Sequence, residues 1–355
     1  MAMTSTKNRL LALLEESRGH ISGEFIAGEL KVSRTAVWKA VNELRKDGYK
    51  ITATTRNGYR FAANNDILSE VGIRACLRKG EVLGSEAPVA WASSPTLGGR
   101  PAPLTPPFRV HFYDETESTN VLAKQAAIAG AGHFYIILAD HQTGGRGRYG
   151  KKFFSPPGCG IYMSFVLRPT EVWLKETPTL VTPFAAVAVC EAIETVCGKK
   201  PKIKWVNDIF LDGKKICGIS NEAGTDFVSG EISWIVTGIG VNFRTPEGGF
   251  PDEICEIAGA IFGKKRAGVT RNRLAAEIIK NMSKLQDPVD FLEKYRARMM
   301  FLGEKIKIHN TANAYEFTTA TALDIDDTGR LVVQRENGEI FSLSSGEVSV
   351  RSIRQ

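Results

Sequence analysis

Three changes of pattern along these 355 residues predict a mixed α/β chain in three parts. Residues 5–61 place apolar side chains at helical spacing and close on a short alternating hairpin. From Phe108 to about Arg298, strand-like runs alternate with longer amphipathic stretches, and several neighbouring runs are joined by tight turns, which argues against an all-parallel sheet. From Gly303 to Gln355, short alternating runs lie between glycine turns, the spacing of a small β-barrel of the SH3 kind.

In the first part, Leu10, Leu13 and Leu14 share a helical face, and Ser22 caps a short helix carrying Phe25, Ile26 and Leu30. Ser33 caps "SRTAVWKAVNELRKDG", where Val37, Val41 and Leu44 lie opposite Thr35, Lys39, Asn42 and Lys46. "YKITATTRNGYRF" follows as a hairpin turning at Asn57-Gly58. Residues 62–108 read as transitional. "APVAWASSPTLGGRPAPLTPP" has five prolines after Pro88, so it forms neither a continuous helix nor a central strand and reads as a linker or surface insertion.

In the central part the expected strands are Arg109–Tyr113, Tyr135–Ala139, Ile161–Leu167, Ile203–Trp205, Ile209–Leu211, Ile216–Ser220 and Ser233–Val241. The expected helices are Asn120–Ala129, Leu180–Val196, Arg271–Leu285 and Val289–Met299. In the last part "KIKIH", "YEFTTATALDI", "RLVVQR" and "EIFSLSSGEVSVR" are the strands. The domain expectation is 1–65, a connecting stretch 66–108, 109–302 and 303–355.

Composition narrows the classes. Hydrophobic residues make up 43% and charged residues 24%, and the net charge of +7 favours a polyanionic partner. No uninterrupted apolar run reads as a membrane span, and Glu15, Glu16 and Arg18 break up the N-terminal leucines, so neither a membrane anchor nor a signal peptide is expected. Six cysteines without a C-x-x-C pair point to reduced core thiols and a cytoplasmic protein.

"GGRGRYGKK" carries the chemistry. Gly145, Gly147 and Gly150 spell G-x-G-x-x-G, yet Pro156-Pro157 follows in place of the helix that a dinucleotide fingerprint opens. What remains is a glycine loop bearing Arg146, Arg148, Lys151 and Lys152, read either as a phosphate cradle or as a solvated basic loop. "ETESTNVLAK" sets Ser118, Thr119 and Asn120 at a strand-to-helix junction, where such hydroxyls ordinarily serve as caps. "KWVNDIFLDGKKICGIS" has Lys204, Asn207 and Asp208 at a hairpin edge and Lys215 in an otherwise apolar strand. "TGIGVNF" alternates Gly238 and Gly240, which suggests close approach of a ligand or another chain segment.

Together these stretches resemble the biotin protein ligases. "HQTGGRGRYGKKFFSP" is similar to their biotin- and adenylate-binding loop, "KWVNDIFLDGKKICGI" to their K-W-P-N-D segment with its following lysine, and "ESTN" and "TGIGVN" to two further motifs in the same order. "VSRTAVWKAVNELRKDGYKI" and "GYRF" resemble the winged helix-turn-helix of the bifunctional members, the biotin operon repressors. The resemblance implies a winged helix-turn-helix, a class II synthetase-like biotin/lipoate ligase domain and an SH3-like barrel. It implies that biotin and ATP give biotinyl-5′-AMP, that the biotinyl group passes to a lysine of biotin carboxyl carrier protein, and that the adenylate is the corepressor of a homodimer on operator DNA.

Residue by residue, it implies biotin and adenylate contacts from Ser118, Thr119, Asn120, Gln142, Arg146, Gly147, Arg148, Gly218, Gly238 and Gly240. Lys215 and Arg148 are the implied catalytic pair. Lys152, Phe153, Lys204, Asn207, Asp208 and Asn242 are implied on the side of ATP and Mg²⁺, with no residue assigned as metal ligand. Arg34, Thr35, Lys39, Asn42, Lys46 and Arg56 are implied on DNA. Tyr149 and Lys151 stand where the best-known loop has Arg, Phe153 where it has Trp, and Val206 where Pro is customary. Two rival readings are a biotin-sensing repressor without catalysis and a lipoate or other acyl ligase.

Overall fold

The computed structural model describes residues 5–17, 19–54, 57–62, 65–82, 109–169, 174, 176–263, 269–284, 288–310, 317–344 and 348–352. The chain divides into two compact units, Met1–Arg109 and Val110–Gln355.

The first unit is α1 (Thr6–Glu16), α2 (Gly23–Leu30), α3 (Arg34–Lys46), the antiparallel pair β1 (Ile51–Thr54) and β2 (Gly58–Phe61), and α4 (Glu70–Val82). Ser5, Ser22 and Ser33 cap the first three helices, each side-chain oxygen accepting a backbone N–H three residues on. Leu10, Leu14, Ile26, Val37, Val41 and Leu44 close one core, and Ile51 and Tyr49 seal it from the hairpin side. The hairpin is docked by a reciprocal pair of backbone hydrogen bonds between Ile21 and Tyr59. Helix α4 corrects the transitional reading of residues 62–108. Its Ile73 and Ala75 are buried and Val71 packs on the core of the first three helices, so this stretch extends the helical unit. The proline-rich segment and Arg56 lie outside the described residues.

The second unit centres on a seven-stranded sheet ordered β3-β4-β5-β9-β8-β7-β6, from β3 (Arg109–Thr116), β4 (Tyr135–Gln142), β5 (Gly160–Leu167), β6 (Lys202–Lys204), β7 (Asp208–Leu211), β8 (Lys214–Thr225) and β9 (Ile232–Asn242). The pairings of β4 to β5, β5 to β9, β9 to β8, β8 to β7 and β7 to β6 are all antiparallel. Helix α5 (Thr119–Ile128) lies on one face, its Ala123 and Ala127 against Ile137, Val166 and Val236. Helix α6 (Val181–Cys197), with the 3₁₀ turn before it, makes Pro178–Cys197 long and apolar enough to cross a membrane, but most of it is buried in the fold as a core segment. It packs against α8 (Arg271–Met282) and α9 (Pro288–Arg298); a single turn, α7 (Asp252–Cys255), precedes these. The last five strands, β10 (Lys305–Asn310), β11 (Phe317–Ile325), β12 (Leu331–Gln334), β13 (Ile340–Leu343) and β14 (Val348–Ser352), form an antiparallel sheet ordered β13-β12-β11-β10-β14. It is tied to the central part by the Trp205 indole, whose Nε1 donates to Gly329 O at 3.1 Å.

Arg168 anchors the C-terminal end of α5, donating to Ala127 O and Ala131 O, and its own N–H donates to His133 Nδ1 at 2.9 Å. Burial pushes the His133 imidazole down to about 4. Between about pH 6.5 and 4 the unfolded chain therefore takes up a proton that the folded chain refuses. Stability of the second unit is expected to fall as pH drops through that window, by at most about 1.4 kcal/mol per pH unit from this group. Urea midpoints from pH 7 to 4 for wild type and His133→Asn check it: the variant should show the shallower slope.

Candidate active site

The site lies on the α5 face of the sheet. Along β9 the alternate positions Val236, Gly238 and Gly240 share that face. Val236 packs beneath α5, and the two glycines beyond it open a trough. A Cβ on Gly238 would fall 2.1 Å from Asn120 Oδ1, and one on Gly240 would fall 2.6 Å from the Phe153 ring. Asn120 and Phe153 thus rest on bare backbone, and the sequence needs glycine at both positions.

Ser118, Thr119 and Asn120 are buried at the N-terminal end of α5. Ser118 is the N-cap position but makes no capping hydrogen bond, which leaves its hydroxyl to face the cleft. Gln142 Oε1 accepts from Thr119 N–H at 2.8 Å and from Thr119 Oγ1 at 3.0 Å, while its Nε2 donates to Ser155 Oγ at 2.9 Å. This fixes the amide's orientation and ties the start of α5 to the end of the glycine loop. That loop is one 3₁₀ turn, Arg148–Gly150, followed by extended chain, so no helix opens after the glycines and the dinucleotide fingerprint is absent.

Lys215 owes its direction to a β-bulge. Ile209 pairs with Cys217 but Phe210 pairs with Lys215, so Ile216 is an extra residue in β8. Strict alternation would set Lys215 on the side of Cys217, opposite Gly218. The bulge moves it to the side of Gly218 and Asp208, and Lys215 Nζ lies 2.5 Å from Asp208 Oδ1. Opposite, Arg148 Nη1 donates to Asn207 Oδ1 at 3.0 Å, and Arg146 pairs with the exposed Glu117 at 2.8 Å.

These side chains line one cleft. Its walls include Ser118, Thr119, Asn120, Gln142, Arg146, Gly147, Arg148, Phe153, Asn207, Lys215, Gly218, Gly238 and Gly240, all expected there from the sequence. Four expected residues do not line it. Asp208 reaches it through Lys215. Lys152 is exposed on the loop, and Lys204 Nζ lies 5.6 Å from the centre of the Phe210 ring. Asn242 instead donates from Nδ2 to Gly259 O, holding the strand exit. One end of the cleft is neutral hydroxyl and amide, and the other is cationic. It suits a ligand with an uncharged polar head and an anionic tail.

Three family models match the chain in order: an HTH domain over residues 6–60, the biotin/lipoate A/B protein ligase family over 112–242, and the biotin protein ligase C terminal domain over 302–351. A bifunctional ligase/repressor BirA of Bacillus subtilis is 33% identical over 346 residues, 95% of this chain and 96% of that one. The chain belongs to the biotin protein ligase family. A biotin–[acetyl-CoA-carboxylase] ligase of Mycobacterium tuberculosis is 27% identical over 66% of this chain and 86% of its own. The solved structure of an Aquifex aeolicus biotin protein ligase in complex with biotin and ATP is 25% identical, with a TM-score of 0.56, covering 68% of this chain and 98% of that one.

In this family member, sequence reasoning missed Met163, Ile219, Ser220 and Ile239 in the cleft wall and Ser164 behind it. Ser164 is fully buried in the apolar run of β5, and its Oγ lies 2.8 Å from Thr119 Oγ1 and 2.7 Å from Asn120 Oδ1. One hydroxyl serves both residues, and Asn120 Nδ2 donates onward to Ser220 Oγ at 3.1 Å. Only the polar residue inside an otherwise apolar strand hinted at this. Ser164→Ala leaves buried acceptors unmet, at a cost of about 1–3 kcal/mol. The KM for biotin is expected to rise about 5- to 150-fold by that amount; an unchanged KM in a pyrophosphate-release assay would remove Ser164 from the site.

In the first unit, Arg34, Thr35, Lys39 and Lys46 are exposed along α3, and Asn42, half-buried, accepts from Arg45 Nη1 at 3.4 Å. Trp38, 57% exposed on the same helix, was not among the residues expected on DNA.

Proposed function

We propose that this chain is an ATP-dependent biotin protein ligase that also acts as a biotin-responsive repressor. The observation that carries the reading is the convergence of the neutral Ser118–Thr119–Asn120–Gln142 end and the Arg146, Arg148 and Lys215 end in one cleft. The first group meets the ureido head of biotin with both donors and acceptors. The second meets the carboxylate and the phosphates, which repel each other without added positive charge. A carboxylate oxygen of biotin attacks the α-phosphorus of ATP, the bond to the bridging oxygen breaks, and pyrophosphate leaves. The amine of a carrier-protein lysine then attacks the carbonyl of biotinyl-5′-AMP, AMP leaves, and an amide forms. Lys215 holds the reacting oxygens at the first step, and Arg148 retains the adenylate until the second.

Among the described residues no group of three or more metal-ligating side chains occurs. Mg²⁺ carried on ATP phosphates needs no such cage, and Asp208 with Asn207 supplies oxygen donors beside Lys215. Mg²⁺ would neutralise phosphate charge there. Lys152 and Lys204 add positive charge nearby, and Phe153 offers a ring for adenine.

The DNA half rests on α3 and its capped, basic outer face. A palindromic operator requires two such helices, hence a homodimer formed when biotinyl-5′-AMP is bound, in the cytoplasm where both carrier protein and operator are found. Two assays test the reading together. Intact-mass measurement of purified carrier protein with ATP and either biotin or lipoate should show the biotinyl increment alone. Mobility shift on DNA upstream of biotin-synthesis genes should tighten when biotin and ATP are added. Lipoyl transfer would favour the acyl-ligase reading, and a shift without transfer the sensor reading.

A further inference from the structure

The regular ladder between β4 and β5 stops at the Ala139–Tyr162 pair. Beyond it the chain must leave β4, run through the cationic loop and return, and the return from Ser155 to Gly160 is held by other means. Gln142 takes Ser155 by backbone and side chain, and Tyr162 Oη donates to Pro156 O at 2.9 Å. Burial pushes the Tyr162 phenol up, so it stays a donor. Phe243 and Arg244 N–H groups donate to Cys159 O. The remaining two points belong to one ion pair: Asp140 Oδ2 accepts from Gly158 N–H at 3.1 Å, Asp140 Oδ1 accepts from Arg271 Nη1, and the same Nη1 donates to Gly160 O at 3.1 Å.

Arg271 is the first residue of α8 and is only 3% exposed, whereas Asp140 keeps 25% of its side chain open. A buried guanidinium is costly unless paired and is weak evidence of net stabilisation; it acts here as a fixed peg in a defined direction. Neither residue lines the cleft. We infer that the Asp140–Arg271 pair is a positioning device for the cationic loop: it fixes the Gly158–Gly160 end of the return, and so the placement of Phe153, Arg148 and Arg146 over the trough. The inference rests on the ligase reading and assigns the pair no contact with substrate.

The test uses the full chain, with pyrophosphate release and biotin labelling of an unrelated bystander protein as readouts, and thermal melting as control. Arg271→Met is expected to raise the KM for biotin and for ATP about 10- to 100-fold, the signature of lost uniform binding, and to increase bystander labelling as the adenylate escapes. The kcat at saturation stays within about threefold of wild type, because Lys215 sits on β8, apart from the loop. Arg271→Lys, which keeps the charge, should recover most of the KM. Should Arg271→Met not fold, Asp140→Asn replaces it: its amide oxygen serves one of the two donors and not both, and the same KM rise is expected. Wild-type KM and wild-type bystander labelling in the folded variants, or a lysine variant no better than methionine, would overturn the inference, even if melting temperatures fell. A wild-type chain that releases no pyrophosphate from biotin and ATP would instead overturn the ligase reading.

Discussion

Lys215→Ala is expected to slow pyrophosphate release from biotin and ATP by about 10²–10³-fold, with the fold intact. Removing one charge-bearing donor from a site where negative charge develops costs about 2.7–4 kcal/mol in the transition state. The ammonium has a defined place before any ligand arrives: the Ile216 bulge turns it into the cleft, and Asp208 holds it there at 2.5 Å. Nothing in the core depends on it, since about 29% of the side chain is solvent-accessible and its backbone bonds to Ile257 O and Gly259 N survive substitution. The loss should therefore appear in kcat and kcat/KM, with a melting temperature close to wild type. Lys215→Arg is informative as well. A planar fork cannot reproduce a point charge beside Asp208, so little activity should return. A fully active alanine variant at saturating biotin and ATP would take Lys215 out of the mechanism.

The lysine also marks where the sequence was readable and where it was not. Its residue type and place in "KKICGIS" drew attention, yet alternation alone would turn it away from Gly218, because a bulge depends on pairing with another strand. Local signals served well wherever the cause was local. The Ser22 and Ser33 caps read from the sequence open their helices in the first unit, and the prolines after the glycine loop excluded a dinucleotide fold. Boundaries failed where partners decide them. Strand β8 runs on to Thr225 through "NEAGT", because β9 offers it a paired edge as far as Ile232. Helix α4 was missed because Gly72 and Gly80 dilute its pattern, while tertiary packing of Ile73 and Ala75 supplies what propensity lacks. In the site, motifs reported the residues that face the cleft. They were silent on those behind it, such as Ser164 in an apolar strand and Arg271 at the start of a helix 131 residues from its partner Asp140.

Gly238→Ala is expected to weaken biotin binding about a hundredfold while leaving the sheet formed. Alanine is acceptable to an extended strand, so the backbone is not the obstacle. The obstacle is Asn120: a methyl at position 238 would sit 2.1 Å from its Oδ1 and 2.8 Å from Cγ. Ordinary van der Waals separation requires the amide to retreat by roughly 1 Å or more. It has nowhere to go, being hydrogen-bonded to Ser164 and Ser220, with Glu222 Oε1 3.4 Å away. The start of α5 must therefore shift with it and carry Ser118 and Thr119 off their positions opposite Gln142. Titration calorimetry with biotin alone reads the effect without ATP or carrier protein. The double variant Gly238→Ala/Asn120→Ser separates clash from chemistry. Shortening residue 120 relieves the contact and should restore the melting temperature, but it removes the amide and should not restore affinity. If the single variant binds biotin as tightly as wild type, Asn120 is not held as described and the glycine floor does not shape this pocket.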